Sequence, residues 1–114
     1  MTRQRGNRLQ NALAAYLRGW WPNAESAGAG RNGTDILGTP GVAWECKTAA
    51  EFKRDFRPAA WVAQSKMHAD GYDAAVPVVV YFPPGLGELS TMHAMAIVPL
   101  HVLMQILTEG KYTP

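Results

Sequence analysis

The chain of 114 residues is long enough for one hydrophobic core and too short for two, so we expect a single domain over 1–114. Apolar residues make up 47% of the sequence and charged residues 18%, a balance typical of a folded globular protein rather than a disordered one. No apolar run reaches the roughly 18–20 residues that cross a bilayer, and the N-terminus lacks the apolar segment of a secretory signal. A single cysteine, Cys46, excludes an internal disulfide and a multi-cysteine zinc site. We therefore expect a cytoplasmic protein with no membrane partner.

The net charge of +2 is unevenly distributed along the chain. Residues 1–34 carry five arginines and one acid, Glu25, whereas the rest of the chain carries six basic and eight acidic groups. A basic first third joined to a slightly acidic remainder favours a face that attracts a polyanion, most commonly nucleic acid. The alternative is an ordinary domain with an arginine-rich surface helix.

Hydrophobic periodicity predicts an N-terminal helix followed by a loop. Leucine and aromatic side chains recur at helical spacing, with arginines on the opposite face, so residues from about 5 to 19 are predicted to form an amphipathic helix. Gly19 and Pro22 predict its end. The glycine-rich residues 23–33 predict a loop, with a short strand near 24–26.

Two short strands are predicted around a tight turn. Residues 34–37 and 42–47 flank Gly38-Thr39-Pro40-Gly41, a strong turn signal, and we expect them to pair as a hairpin. The later elements follow in chain order: a charged connection at 48–57, a helix from Pro58 to about 69, a strand at 76–82 buried on both faces, a strand at 92–98 and a helix at 100–107 that Gly110 ends. This order predicts a small mixed sheet flanked by helices.

The residues that could carry chemistry lie on the predicted hairpin. Side chains alternate across a strand, so Glu45 and Lys47 share one face while Trp44 and Cys46 point to the other. The tight turn brings Asp35, at the start of the partner strand, alongside Glu45. Paired carboxylates are the hard ligands that Mg²⁺ or Mn²⁺ prefers, and a neighbouring lysine can orient water or stabilise charge that develops on phosphorus. The simpler alternative is that Glu45 and Lys47 form a ladder pair on an exposed sheet face.

These residues resemble the signature of a known family. Asp35…Glu45-Cys46-Lys47 is similar to the PD-(D/E)xK motif of restriction-endonuclease-like nucleases, and the order of elements resembles that of archaeal-type Holliday junction resolvases and related phage nucleases. The resemblance covers nearly the whole chain, but it rests on element order and three motif residues. Other features that fit are a helix that opens with Arg5-Gly6, a Ser/Gly-rich loop at 26–31, a helix after the lysine and a Val-rich strand before the last helix.

The resemblance implies an α/β restriction-endonuclease-like domain, with a small mixed central sheet flanked by helices in the order α-β-β-α-β-β-α. It implies an endonuclease that uses Mg²⁺ or Mn²⁺ to hydrolyse phosphodiester bonds and acts as a homodimer on branched DNA, such as a Holliday junction. The enzyme would work in the cytoplasm, or in the host cytoplasm if it is phage-encoded. Two alternatives stay open: a flap, single-strand or nicking repair nuclease of the same fold, and a catalytically weak nucleic-acid-binding protein.

The family's functional residues can be carried over to this chain one by one. Asp35 and Glu45 would be the metal ligands, with the backbone carbonyl of Cys46 as a third. Lys47 would be the catalytic lysine. Gln64 lies in the helix after the motif, where relatives frequently carry a polar residue that faces the active site, and it completes the expected catalytic set.

Two further residues are expected to support the site. The family often has a glutamate where this chain has Gln10; an amide can hold a metal-bound water but contributes no charge, so one or two metal ions remain open. Ser26 stands where resolvases have a serine near the scissile phosphate.

The planar guanidinium group of arginine matches the geometry of a phosphate. The expected DNA contacts are Arg5, Arg8, Arg31 and Lys66.

Several other features predict packing rather than chemistry. The histidines and Cys46 lack the spacing of a zinc site, and Gly28-Ala29-Gly30 is not followed by a helix, so no nucleotide cofactor is expected. The four tryptophans are expected in the core or a dimer interface: Trp20, Trp21, Trp44 and Trp61. The last strand and helix supply a candidate dimer interface that could equally be core: Ile97, Leu100, Leu103, Met104 and Leu107.

Overall fold

The computed structural model describes residues 2–27, 34–54, 57, 59–63, 76–83 and 88–112, with side chains left out at 2–7, 51–52 and 88–90. The elements are α1 (Thr2–Leu17), β1 (Glu25–Ser26), β2 (Ile36–Leu37), β3 (Val42–Lys47), α2 (Ala49–Arg54), β4 (Val76–Tyr81), β5 (Met95–Ile97) and α3 (Leu100–Glu109). A 3₁₀ helix covers Glu88–His93, and residues 59–63 are helical. These elements form a small α/β domain.

Three strands form a mixed sheet with β4 at its centre. β3 and β4 are parallel, with Glu45 opposite Val79, and β4 and β5 are antiparallel, with Val79 opposite Ile97. The inner residues of β4 are buried on both faces, as its nearly continuous apolar run predicts. The predicted small mixed sheet flanked by helices is therefore confirmed.

The first helix covers one face of this sheet. Leu9, Leu13 and Leu17 of α1 are buried and share a hydrophobic core with side chains from three of the strands: Ile36, Cys46, Val78 and Val80 are among them. The amphipathic helix expected over 5–19 is thus present as Thr2–Leu17.

The side chain of Trp20 is 64% exposed, so it does not lie in the core, and its expected place in a dimer interface stays a prediction. The helix ends at Leu17 and residues 18–20 form a turn, so Trp20 leaves the helical register that buries the leucines. Trp21 and Trp44 pack edge to face against the core, with ring centroids 6.2 Å apart, and Trp61 is buried. Three of the four tryptophans are therefore packed at least in part, and the fourth is not.

The predicted hairpin is only partly correct. The ladder partner of β2 is β1, with Ser26 opposite Ile36, and β2 and β3 belong to different sheets. One backbone bond, from the N–H of Asp35 to the carbonyl of Trp44 at 2.8 Å, still holds the two segments together. The backbone N–H of Trp44 donates to the hydroxyl of Thr34 at 2.8 Å, so a side chain stands where a ladder bond would be.

A glycine contact explains why β2 lies beside β1. Gly38 has φ +83°, and a Cβ there would lie 2.6 Å from the carbonyl carbon of Asn23 and closer still to its oxygen. The turn after β2 therefore packs directly on the backbone that leads into β1, and only glycine fits this approach.

The C-terminal half differs from expectation in two places. Helix α2 (Ala49–Arg54) occupies part of the segment expected to be a connection; the Thr48-x-x-Glu51 spacing is typical of a capping box, and alanines follow the threonine. Strand β5 is shorter than expected because the 3₁₀ helix replaces its first residues.

The last helix and the helix predicted from Pro58 agree with the structure wherever it describes them. The last helix ends at Gly110, which is left-handed (φ 76°) and donates its N–H to the carbonyl of Ile106, as the glycine stop signal predicts. Residues 59–63 belong to the helix predicted from Pro58, and the rest of that helix lies outside the described residues. Among the helices that the structure describes, none is both long and apolar enough to cross a membrane.

Candidate active site

Glu45 and Lys47 lie side by side on one face of β3. Lys47 Nζ is 3.2 Å from Glu45 Oε1, and both side chains are almost fully enclosed. Cys46 between them points to the opposite face and joins the hydrophobic core. The alternation predicted for this strand is confirmed, but the face is not an exposed one, so the simple surface ladder pair does not describe it.

Burial makes this ion pair costly. Removing two charges from water carries a desolvation penalty that mutual attraction often fails to repay, so a buried ion pair is weak evidence of a stabilising role. Stability alone therefore gives little reason for charged residues at positions 45 and 47.

Asp35 is held at the outer edge of β3. Its Oδ2 accepts a hydrogen bond from the backbone N–H of Cys46 at 2.7 Å, and its own N–H donates to the carbonyl of Trp44. The carboxylate is half-buried and lies beside the backbone of the residue between Glu45 and Lys47. The first acid thus turns toward the strand that carries the other two motif residues.

The backbone carbonyl of Cys46 belongs to the same edge. In a strand, the N–H and C=O of one residue point to the same side. Since the N–H of Cys46 meets Asp35, its carbonyl is directed to the side on which Asp35 lies. The cysteine thiol faces the core, so only the main chain of this residue can serve a ligand at the edge.

The ring of Trp61 contacts the ammonium of Lys47. Lys47 Nζ lies 5.3 Å from the centre of the Trp61 ring, and the ring itself is buried. An ammonium at this distance is attracted by the negative face of the ring, an interaction that strengthens as water is removed. The expectation of packing for Trp61 is correct, but its contact with Lys47 had no signal in the sequence, because it depends on how two distant elements meet.

Gln10 and Ser26 contact each other. The Ser26 hydroxyl donates to the Gln10 side-chain oxygen at 3.1 Å, which joins α1 to β1. The neighbouring Ala27 N–H donates to the backbone carbonyl of Asp35 at 2.9 Å. The two residues expected to support the site therefore contact each other, and the residue after Ser26 is bonded to Asp35.

The donors at this edge fit a hard divalent cation. Two carboxylates and a backbone carbonyl are oxygen ligands, and Mg²⁺ is commonly held by one or two carboxylates while it keeps several waters. A carboxylate accepts at up to about four sites, so the bond from Cys46 uses only part of the acceptor capacity of Asp35. Within the described part of the chain, no group of three or more His, Cys, Asp or Glu side chains could hold a metal ion. The donor set here is smaller and depends on the main chain.

The expected DNA contacts are only partly described. Arg8 is exposed on α1, and Arg5 belongs to the same helix, which contains no acidic residue. Gln64, Arg31 and Lys66 lie outside the described residues. The basic character predicted for the first third of the chain thus falls on a helix whose other side is buried in the core.

Comparisons with known proteins add no relative. No protein-family model matches the chain, and neither the curated proteins nor the solved structures include a match.

Proposed function

We propose that this chain is a divalent-metal-dependent DNA endonuclease of the PD-(D/E)xK type, with a restriction-endonuclease-like fold, that resolves branched DNA. One observation carries the proposal: the Asp35 carboxylate bonds to the main chain of Cys46, directly between Glu45 and Lys47. The element order supports it, since a helix, a short strand that directly follows Asp35, the strand of Glu45 and Lys47, and a Val-rich strand succeed one another in the order that the family resemblance implies.

Each residue of the edge has a defined part in the proposed reaction. Asp35 and Glu45, with the Cys46 carbonyl, would hold Mg²⁺ or Mn²⁺; such an ion would supply polarisation of a phosphoryl oxygen and a lowered pKa for its bound water. Lys47 is directed by Glu45 and Trp61 and points its ammonium at the attacking water or at charge that develops on phosphorus. Pre-oriented charges of this kind cost no reorganisation during the reaction.

Gln10, Ser26 and Gln64 complete the site in this proposal. The neutral amide of Gln10 withholds the charge that a glutamate would supply, so we infer one metal ion rather than two. The Ser26 hydroxyl bonds to Gln10, and the neighbouring Ala27 N–H bonds to Asp35. In this proposal the hydroxyl would contact a phosphate oxygen. Gln64 follows Trp61 by three residues and is assigned the polar position beside the site.

DNA is held mainly through its phosphates. Arg5, Arg8, Arg31 and Lys66 are the proposed contacts, and contacts of this kind read backbone shape and position rather than base sequence. Binding should therefore weaken steeply with salt, because each neutralised phosphate releases counterions.

A second copy of the chain is the proposed protein partner. The outer face of α3 exposes Leu100, Leu103, Met104 and Leu107, and Met95 on the neighbouring edge strand is also exposed. Contiguous exposed apolar surface is typical of an interaction site. A two-fold pair would hold two active sites at a fixed separation and nick symmetric strands of a four-way junction.

Cleavage assays test the proposal. The purified chain should cut a four-way junction in Mg²⁺ or Mn²⁺, and Asp35→Asn and Lys47→Ala should each abolish cleavage while DNA binding persists. Unchanged cleavage in both variants would refute the site. A panel with flap and linear duplex DNA then separates the resolvase from other nucleases of the same fold, because equal cutting of linear duplex would exclude a junction specialist.

One observation favours a weaker alternative, a nucleic-acid-binding protein with little catalysis. Gln10 stands where the resembled nuclease family often has a glutamate, and its side-chain oxygen accepts a hydrogen bond from Ser26. Binding of DNA without cleavage in either metal would support this alternative.

A further inference from the structure

An exposed aromatic pair lies at the C-terminal end of α1. The rings of Tyr16 and Trp20 meet edge to face, with centroids 5.1 Å apart, and the two residues are 41% and 64% exposed. Edge-to-face contact fixes the two rings relative to each other while leaving faces in solvent. Neither ring belongs to the hydrophobic core of α1 and the sheet.

Tyr16 is exposed on α1 and Trp20 on the turn that follows it, whereas the next aromatic residue, Trp21, packs against the core. Trp21 packs against Trp44, and its N–H donates to the carbonyl of Leu17 at 2.9 Å. Arg18 is tied to the same turn, since its Nε donates to the carbonyl of Ala24 at 2.8 Å. Trp20 is therefore presented on an ordered turn, with an arginine two residues away.

Charge distinguishes this surface from the other exposed apolar face. Helix α1 has three arginines and no acid, and Arg18 follows it, so the aromatic pair belongs to a basic element. Helix α3 carries Leu100 to Leu107 without a lysine or arginine, and Glu109 near its end is acidic. A neutral apolar face suits a protein partner. Aromatic rings on a basic element suit unpaired nucleobases, which stack on the rings while the phosphates meet the arginines.

We propose that Tyr16 and Trp20 form a stacking site for the unpaired bases of single-stranded DNA. The inference rests on the proposed action on DNA and extends it: the favoured substrate exposes unpaired bases, as at the centre or end of a branch. The ring of Trp20 supplies most of the contact, Tyr16 holds it, and the arginines of α1 and Arg18 attract the backbone.

Binding measured without metal tests this proposal. Fluorescence anisotropy in EDTA should compare a labelled oligothymidine of about 16 nucleotides with an abasic oligonucleotide of the same length. Trp20→Leu, which keeps an apolar side chain but removes the ring system, should weaken oligothymidine binding by at least about fivefold and leave abasic binding unchanged. Trp20→Phe should retain most of the affinity, and Trp21→Phe, on the adjacent inward-facing ring, should have the wild-type value.

Two results would overturn it. Equal affinities of wild type and Trp20→Leu for oligothymidine would show that the ring does not stack on bases. A loss that is the same for oligothymidine and the abasic chain, or a change in sedimentation with DNA affinity unchanged, would assign the ring to charge placement or to a protein interface. This binding assay contains no metal, so it is independent of the cleavage assay. A chain that failed to cleave DNA in Mg²⁺ or Mn²⁺ would reject the proposed nuclease without changing the outcome of the binding assay.

Discussion

The Oδ2 atom of Asp35 accepts a hydrogen bond from the backbone N–H of Cys46 at 2.7 Å, and this bond closes the outer edge of β3. It joins residues eleven positions apart. The same bond that ties down a strand edge also brings a carboxylate to the residue between Glu45 and Lys47. Structure and proposed chemistry can therefore be separated by substitution at this one position.

Asp35→Asn and Asp35→Ala should differ in stability. Asparagine keeps an oxygen that can accept from Cys46, so the free energy of unfolding should change little. Alanine leaves the N–H of Cys46 without this acceptor, which should cost about 1–3 kcal/mol. Urea denaturation followed by circular dichroism measures the difference. Equal stabilities for the two variants would contradict a structural part for this bond.

Gly38→Ala should be far more destabilising than Gly41→Ala. Both glycines have positive φ, +83° and +86°, so each substitution strains the backbone by about 1–2 kcal/mol. Only at Gly38 would the new Cβ also overlap the backbone of Asn23, whereas nothing lies within 4 Å at Gly41. We expect a total loss of about 3 kcal/mol or more for Gly38→Ala, at or above the upper end of the usual range for a single substitution. Similar melting temperatures for the two variants would rule out the close approach of β2 to Asn23.

Trp61→Leu should remove the aromatic ring that lies beside the Lys47 ammonium. A proton near the face of an indole ring resonates upfield, so the ε-methylene protons of Lys47 should be shifted upfield in the wild type and return toward ordinary values in Trp61→Leu. Trp61→Phe keeps an aromatic face and should retain part of the shift. Proton–carbon NMR of lysine-labelled protein measures it. An ordinary Lys47 signal in the folded wild type would exclude the contact.

Leu107→Glu should disrupt the proposed dimer. Leu107 is 68% exposed, so a glutamate there should leave the monomer folded while it places a charge in an apolar interface. Sedimentation velocity should show the wild type as a dimer and Leu107→Glu as a monomer. Ala50→Glu, which adds the same charge at an exposed position of α2, is the control. A wild type that stays monomeric at high concentration would remove the dimer from the account.

Local patterns in the sequence predicted much of the fold. Each of these patterns reflects a local physical requirement. The apolar run of β4 reflects burial on both faces, and the helical spacing of apolar residues in α1 reflects one buried face. The glycine after α3 adopts the left-handed backbone conformation that ends the helix. The shared face of Glu45 and Lys47 follows in the same way from the two-residue repeat of a strand.

Features that depend on tertiary contacts could not be predicted. A two-residue strand such as β2 carries too little pattern to choose a partner, and its pairing with β1 depends on how Gly38 packs on Asn23. The exposure of Trp20 depends on where the helix ends. The contact between Lys47 and Trp61, and the bond between Ser26 and Gln10, join segments whose approach only the folded chain determines.

Direct measurement of Mn²⁺ binding tests the central claim, that Asp35 and Glu45 together hold a divalent cation. Electron paramagnetic resonance of free Mn²⁺ during titration with the protein gives the affinity without DNA or cleavage. Asp35→Asn and Glu45→Gln should each weaken Mn²⁺ binding by about tenfold or more, because mutation of a residue that only supports a metal ligand already lowers metal affinity by about that factor. Glu25→Gln, an exposed acid on β1, should bind as the wild type does. Equal Mn²⁺ affinity in all four proteins would contradict the proposed metal site.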